Sequence, residues 1–253
     1  MKMNNYRNIE TIYTVKTNEP LTHKTWRMRL SGDTSELTSA GQFVNLRIDG
    51  KYLRRPISVS DYREGELTLL YDVVGAGTKA MSEMKPGTQI NTLTGLGNGF
   101  NENIATERPV LLGGGIGCAP LLNLARKLQK RGIEPTVILG FNTAADVAMK
   151  EDFREIGIEA VICTVDGTEG VKGFVTDAIK ALPFLPDYFY ACGPTPMLRA
   201  VCLGLDFPGE VSLESRMGCG FGACMCCSIE TKDSAKRICK DGPVFTKDEL
   251  IWK

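Results

Sequence analysis

Pro109-Val110-Leu111-Leu112-Gly113-Gly114-Gly115-Ile116-Gly117-Cys118-Ala119-Pro120 is the stretch that decides the fold. Pro109–Leu112 is a short apolar run of the kind that forms a buried strand. Gly113–Gly117 reads as a tight turn. Ala119–Arg131 then has helical spacing, with Leu121, Leu124, Ala125 and Leu128 on one face, basic residues on the other and Gly132 as its cap. Pro135–Gly140 reads as the next strand. The pattern continues with strands at Glu159–Thr164, Asp187–Ala191 and Glu210–Leu213 and helices at Phe174–Leu182 and Thr195–Leu205. Such alternation predicts an α/β doubly wound parallel sheet, which binds ligands beyond the C-terminal ends of its strands.

The glycine turn differs from the dinucleotide fingerprint G-x-G-x-x-G. Gly113 and Gly115 fit its first two positions, but Cys118 takes the third, and Gly140-Phe141-Asn142 ends the next strand without an acidic residue. A second strand-to-helix turn, Ala191-Cys192-Gly193-Pro194-Thr195-Pro196-Met197, lies in the same predicted sheet. Two such turns on one edge make a crevice suited to a nicotinamide ribose and its diphosphate. Gly113, Gly115, Gly117, Gly193 and Pro194 are therefore the candidate nucleotide-binding residues. Cys192, at a strand end, is the candidate catalytic position beside hydride transfer. The alternative for Cys192 is a small buried filler, the usual role of a lone cysteine.

Upstream, the first hundred residues read as β structure. Strand-like segments occur at Thr11–Lys16, Thr25–Leu30, Gln42–Ile48, Ile57–Ser60, Glu66–Val73 and Gln89–Leu93. Breakers at Gly32, Gly41, Asp49-Gly50, Gly65 and Pro86-Gly87 separate them. With one short helix near Thr78–Met84, they predict a small antiparallel barrel. Leu53-Arg54-Arg55-Pro56-Ile57-Ser58 places a guanidinium fork, suited to a pyrophosphate, near a hydroxyl that suits a ring nitrogen or carbonyl. The bland reading of the arginine pair is a solvated strand edge. Leu70-Tyr71-Asp72-Val73-Val74-Gly75-Ala76-Gly77-Thr78 ends a strand in a glycine turn that opens the short helix. Such a turn either offers amides to a phosphate or is an ordinary connection.

Downstream, Cys219, Cys224 and Cys227 stand in Met217-Gly218-Cys219-Gly220-Phe221-Gly222-Ala223-Cys224-Met225-Cys226-Cys227, and Cys239 follows. The C-x4-C-x2-C…C spacing is that of a plant-type [2Fe–2S] site, with glycines that let amide hydrogens face anionic sulfurs. Structural zinc is the rival reading, because four thiolates also suit a tetrahedral ion. Zinc sites, however, usually pair two C-x2-C knuckles. Cys226 is out of register, a spare thiol that could substitute for Cys227.

Thirty basic and thirty acidic residues cancel in this 253-residue chain, which argues against nucleic acid and anionic membrane surfaces as partners. The uncharged run Pro109–Ala125 is interrupted by glycines and prolines and is no membrane span, and the first residues lack the apolar core of a signal peptide. Nine cysteines without a disulfide pattern fit a reducing cytoplasm. The sole histidine, His23, reads as structural. Paired catalytic carboxylates, a nucleophilic triad and a TIM-barrel pattern are all missing, which places substrate conversion on another protein. A hydride carries two electrons and a [2Fe–2S] cluster takes one. A nicotinamide site and a cluster in one chain therefore call for a flavin between them.

The order of these pieces resembles the ferredoxin reductase superfamily: Arg-Pro-Ile-Ser, Gly-Ala-Gly-Thr and Leu96-Gly97-Asn98-Gly99-Phe100 in the barrel, then the two sheet turns. The cysteine loop followed by Asp241-Gly242-Pro243-Val244-Phe245 is similar to that of the electron-transfer subunits of class 1B dihydroorotate dehydrogenase, a resemblance that spans the chain. It implies an FAD-binding barrel over 1–102, an NAD-binding α/β domain over 103–213 and a [2Fe–2S] subdomain over 214–253. By that resemblance Arg55, Pro56, Ile57, Ser58, Leu70, Tyr71, Asp72, Gly77 and Thr78 line FAD, and Cys219, Cys224, Cys227 and Cys239 hold the cluster. Ile57 stands where the superfamily has a tyrosine that stacks on the flavin. Asn142 replaces its common arginine, which favours NADH over NADPH. The implied partner is an FMN-containing catalytic subunit, in a heterotetramer of two copies of each. The alternatives are a related flavin–iron–sulfur subunit reducing ferredoxin, NADP or polysulfide, and a zinc-stabilised nucleotide-binding regulator.

Overall fold

The computed structural model describes residues 9–252. The barrel strands are β1 (Ile9–Pro20), β2 (Thr25–Ser31), β3 (Phe43–Leu46), β4 (Arg55–Arg63), β5 (Glu66–Asp72) and β6 (Gln89–Leu96), with α1 (Ala76–Ser82) between β5 and β6. They close in the order β1-β2-β5-β4-β3-β6, every neighbour antiparallel. Alternation explains the closure. Tyr13 and Val15 of β1, Met28 and Leu30 of β2, and Leu67, Leu69 and Tyr71 of β5 are buried at every second position, and together with Met81 of α1 they fill the interior. Each such side chain contributes roughly 1.5–3 kcal/mol by leaving water.

The second unit consists of β7 (Pro109–Gly114), α2 (Ala119–Lys130), β8 (Thr136–Phe141), α3 (Lys150–Glu155), β9 (Val161–Thr164), β10 (Val171–Lys172), α4 (Val175–Lys180), β11 (Tyr188–Cys192), α5 (Thr195–Gly204) and β12 (Gly209–Ser212). Then follow the hairpin β13 (Ser228–Glu230) and β14 (Ala235–Arg237), and β15 (Val244–Thr246). The sheet order is β10-β9-β8-β7-β11-β12-β15. Leu121, Leu124 and Leu128 of α2 and Phe153 of α3 pack on one face; Val175 and Ile179 of α4 and Leu198 and Val201 of α5 pack on the other. The chain leaves β7 toward β8 on one side and reaches β11 on the other, so the topological switch point lies between β7 and β11.

The expectation of a parallel sheet holds for six strands and fails at the edge. β15 pairs antiparallel with β12, Val211 opposite Phe245, so the segment after Cys239 is stitched onto the nucleotide sheet. The edge strand pins the end of the cysteine loop to the sheet that carries the two glycine turns.

Helix α2 also faces the barrel. Asn123 Nδ2 donates to Asp61 of β4 at 2.9 Å, Arg126 lies 3.3 Å from the same carboxylate, and Lys127 bonds Thr38 O at 2.7 Å and Glu102 at 2.8 Å. Arg27 of β2 bonds Asp152 of α3 at 2.5 and 2.6 Å. These contacts hold the flank of β4 against the helix that leaves the first glycine turn.

Candidate functional site: a two-walled cleft beside a cysteine loop

A cleft of about 890 Å3 opens between the barrel and the C-terminal edge of the sheet. Its barrel wall carries Arg55, Pro56, Ile57 and Ser58 of β4, Leu70–Asp72 of β5, and Thr78. Its other wall carries Gly115, Gly117, Cys192, Gly193 and Pro194. Both sequence motifs therefore face one cavity, across the switch point.

Two candidate residues do not line it. Gly113 lies inside β7, where a Cβ would come within 2.9 Å of Leu139 and 3.0 Å of Cys118; its smallness serves packing. Gly114 takes its place at the cleft, against Met197. The turn starts two residues later than the glycine run predicts, because Gly113 and Gly114 still pair with β8. Gly77 lies under the Arg55 side chain, which a Cβ would strike at 2.0 Å. It gives the guanidinium room, and Arg55 Nη1 donates to Leu53 O at 2.6 Å. The Thr78 hydroxyl accepts the N–H groups of Val74 (2.9 Å) and Gly75 (3.2 Å), so these two amides are already engaged within the turn.

The sheet turns meet through their glycines. A Cβ on Gly117 would sit 2.3 Å from the Cys192 carbonyl oxygen, and one on Gly193 3.1 Å from the Gly114 Cα. Only bare backbone allows the two strand ends to approach this closely. Cys192 lines the cleft opposite Ser212 of β12, a cleft residue that the sequence reading missed. Burial pushes its thiol up to about 12, although Ser212 pulls the other way, so Cys192 is a neutral thiol and not a thiolate nucleophile.

Asn142 lines the cleft as expected of the second strand end. An acidic residue does follow, further on than the dinucleotide pattern places it. Asp146 is buried, bonds Lys24 at 2.9 Å and lies 3.9 Å from His23. Its burial works against ionisation, but the Lys24 ammonium outweighs it and holds the carboxyl below its usual range. His23 is exposed rather than a core histidine. Lys24 is a cation at the cleft wall that no signal in the sequence around Asn142 discloses.

The cysteine loop adjoins the cleft. Met217, two residues before Cys219, and Pro243, four residues after Cys239, both line the cavity. The four expected ligands gather as two pairs. Cys219 N–H points at Cys224 Sγ (3.4 Å), and the amides of Ala223 and Cys224 point at Cys219 Sγ (3.2 and 3.4 Å). Cys239 N–H points at Cys227 Sγ (3.4 Å). Gly220 and Gly222 have φ of +78° and +89°, the left-handed turn that aims these amides inward.

Partial burial opposes ionisation of Cys219, but the amides of Phe221, Ala223 and Cys224 outweigh it and lower the thiol to about 6. Cys239 moves the other way, to about 12, through burial and the neighbouring Cys227 and Cys219. Among the described residues no three His, Cys, Asp or Glu side chains converge on one point suited to a single ion. Two cysteine pairs, each able to offer two sulfur ligands to one iron, fit a [2Fe–2S] cluster. Cys226 is exposed, its Sγ 3.8 Å from Arg216 O, outside both pairs.

For the flavin, the fit rests on the cleft's barrel wall, where apolar Pro56, Ile57 and Leu70 line the cavity with Ser58 and Arg55. That donor set suits a planar heterocycle with a phosphate tail.

Known proteins match on the same parts. Residues 214–251 match the iron–sulfur cluster binding domain of dihydroorotate dehydrogenase B, and residues 111–203 match the oxidoreductase NAD-binding domain. The electron transfer subunit of dihydroorotate dehydrogenase B (NAD(+)) from Fusobacterium nucleatum is 42% identical over 94% of this chain and 96% of its own length. The counterpart from Geobacillus sp. is 42% identical over 94% and 97%. Among solved structures, an NADH-dependent reduced ferredoxin–NADP oxidoreductase is 31% identical with a TM-score of 0.86, covering 95% of this chain and 90% of that one. A ferredoxin NADP+ reductase from Neisseria gonorrhoeae, at 19% identity and a TM-score of 0.65 over 75% of this chain and 87% of its own, shares the fold.

Proposed function

The chain belongs to the family of electron-transfer subunits of dihydroorotate dehydrogenase B, and on that premise we propose that it moves electrons between NAD(H) and the FMN of a separate catalytic subunit, serving oxidation of dihydroorotate to orotate in pyrimidine biosynthesis. FAD, which exchanges electrons singly or in pairs, and the [2Fe–2S] cluster, which takes one, supply the conversion between hydride and single electrons. The residues of the chain bind and align. Gly115, Gly117, Gly193 and Pro194 form the wall against which the nicotinamide nucleotide lies. Arg55–Ser58 and Leu70–Asp72 form the flavin wall. The neutral Cys192 lines the nucleotide wall at the end of β11. Cys219 and Cys224 would hold one iron, Cys227 and Cys239 the other.

One observation carries this reading. Met217 and Pro243, which flank the cysteine loop, line the same cleft as the flavin wall and both glycine turns. Three stations thus adjoin in one chain. Phe221 and Met225 on the cluster loop are exposed, 38% and 54%, and form the contact through which the catalytic subunit is reached. The complex is a heterotetramer of two copies of each chain, working in the cytoplasm. Among the described residues no helix is long and apolar enough to cross a membrane.

The test is reconstitution. The isolated chain reduces artificial dyes with NADH and leaves dihydroorotate untouched; adding an FMN-containing catalytic subunit couples NAD reduction to orotate formation. Dihydroorotate turnover by the isolated chain refutes the division of labour. The ferredoxin–NADP oxidoreductase likeness supports a rival in which ferredoxin is the single-electron partner. Reduction of ferredoxin faster than of the catalytic subunit would favour that rival.

A further inference from the structure

Asn45 sits where the barrel meets the cysteine loop. It lies on β3 with 1% of its surface exposed, directly opposite Pro56 of β4, the second residue of the flavin wall. Its Nδ2 donates to the carbonyl oxygen of Cys219 at 3.1 Å. Its Oδ1 is buried and accepts no hydrogen bond. The loop approaches just as closely from its side: a Cβ on Gly220 would come within 2.4 Å of Asn45 Nδ2, at a residue whose φ is +78°. Glycine is required there twice, for the turn and for the contact.

An orphaned buried acceptor is costly, and an apolar side chain on a barrel strand would avoid that cost. The one contact the amide gains in return is Cys219. Asn45 therefore connects the strand pair bearing Arg55–Ser58 to the backbone of a cluster ligand by a single side chain. Cys219 belongs to the less buried ligand pair, the one whose position the protein core fixes least.

We infer that Asn45 is a positioning residue for electron transfer between flavin and cluster, clamping the Cys219 end of the loop to the flavin-bearing strands and so fixing the separation and the through-bond route between the two sites. This rests on the relay proposed above. The clamp acts on the transfer between the two groups and leaves hydride arrival untouched, because the nicotinamide wall is built by β7 and β11 on the far side of the cleft.

The decisive comparison is rapid mixing of the loaded chain with NADH, following flavin bleaching and cluster reduction as separate phases. In Asn45→Leu the flavin phase stays at the wild-type rate while the cluster phase slows by about tenfold, the effect of a barrier change of about 1.4 kcal/mol. Iron release to a chelator, measured without NADH, accelerates in the same variant because the outer pair is no longer held. Rate constants report only loaded molecules, so partial loss of cluster does not hide the result. Should Asn45→Leu hold no cluster, Asn45→Ser and Asn45→Gln make the same comparison; failure of all three to load overturns the inference by making Asn45 a folding residue. Both phases slowing in parallel, or a cluster phase unchanged in Asn45→Leu, also overturns it. Wild-type protein with flavin bleaching but no cluster phase refutes the relay itself, which is a separate outcome.

Discussion

The glycine turns of the cleft and the glycine loop of the cluster are both backbone sites, yet they are held in opposite ways. At the cleft, Gly117 lies against the Cys192 carbonyl and Gly193 against Gly114, so backbone packs on backbone at the ends of two central parallel strands. At the cluster, the loop is tied by a few polar contacts: Arg237 Nη1 to Gly222 O at 2.7 Å, Asn45 to Cys219 O at 3.1 Å, and amides aimed at sulfur. The first site is shaped by the sheet before any ligand arrives. The second depends on its metal to complete the bonding between its two cysteine pairs. Substitutions in the cleft should therefore act through overlap, and substitutions in the loop through lost ligation.

The largest effect tests the loop. Replacing Cys219, Cys224, Cys227 or Cys239 with Ser abolishes the electron paramagnetic signal of the reduced cluster, while Cys226→Ser keeps it. A wild-type-like signal in Cys224→Ser would break the pairing described here. Next comes the cleft. Gly117→Ala forces a methyl into the Cys192 carbonyl, at a cost of ~1–3 kcal/mol in stability. It should slow flavin reduction by NADH by about a hundredfold, at about tenfold per 1.36 kcal/mol of barrier. Cluster content should stay normal, since the loop is tied elsewhere. Equal damage to both sites would show that they are one unit rather than two.

Cofactor choice is a smaller effect on the cleft side. The chain should bleach its flavin faster with NADH than with NADPH, because Asn142 is uncharged and Asp146 engages Lys24. Asp146→Asn frees that lysine and should narrow the preference by a few-fold, in line with an interaction of about 1 kcal/mol. An unaltered ratio would place the 2′-hydroxyl pocket elsewhere. The smallest effect sits on the rim of the loop. Phe221→Asp should weaken coupling to the catalytic subunit by about tenfold, as for one interface anchor, and spare dye reduction.

Much of this was legible in the sequence because alternation and spacing are local. The six barrel strands are legible as segments of strand composition between glycine breakers, and each matches an observed strand within a few residues. The cysteine spacing marks all four candidate ligands, since three of them stand in one short turn. Long-range features were not legible. β15 is three residues long and becomes a strand only by pairing with β12, some thirty residues earlier. α3, six residues entered through Met149 at a φ of +64°, carries too little periodicity to register. Gly113 enters the candidate set through its glycine run and Gly77 through the family resemblance, and neither signal says which member of a turn faces the ligand. Asp146 escaped because its approach to Lys24 depends on the barrel folding against the sheet, as does the meeting of Asn45 and Cys219.

The central claim is that one chain takes a hydride at the cleft and passes single electrons to the loop. Anaerobic addition of NADH to the isolated, purified chain tests it most directly, with the flavin followed by absorbance and the cluster by electron paramagnetic resonance. The account predicts that the flavin bleaches and the reduced-cluster signal then appears, with NADH as the sole reductant and no catalytic subunit present. A colourless zinc protein, or a flavin that bleaches while the cluster stays oxidised, would contradict it.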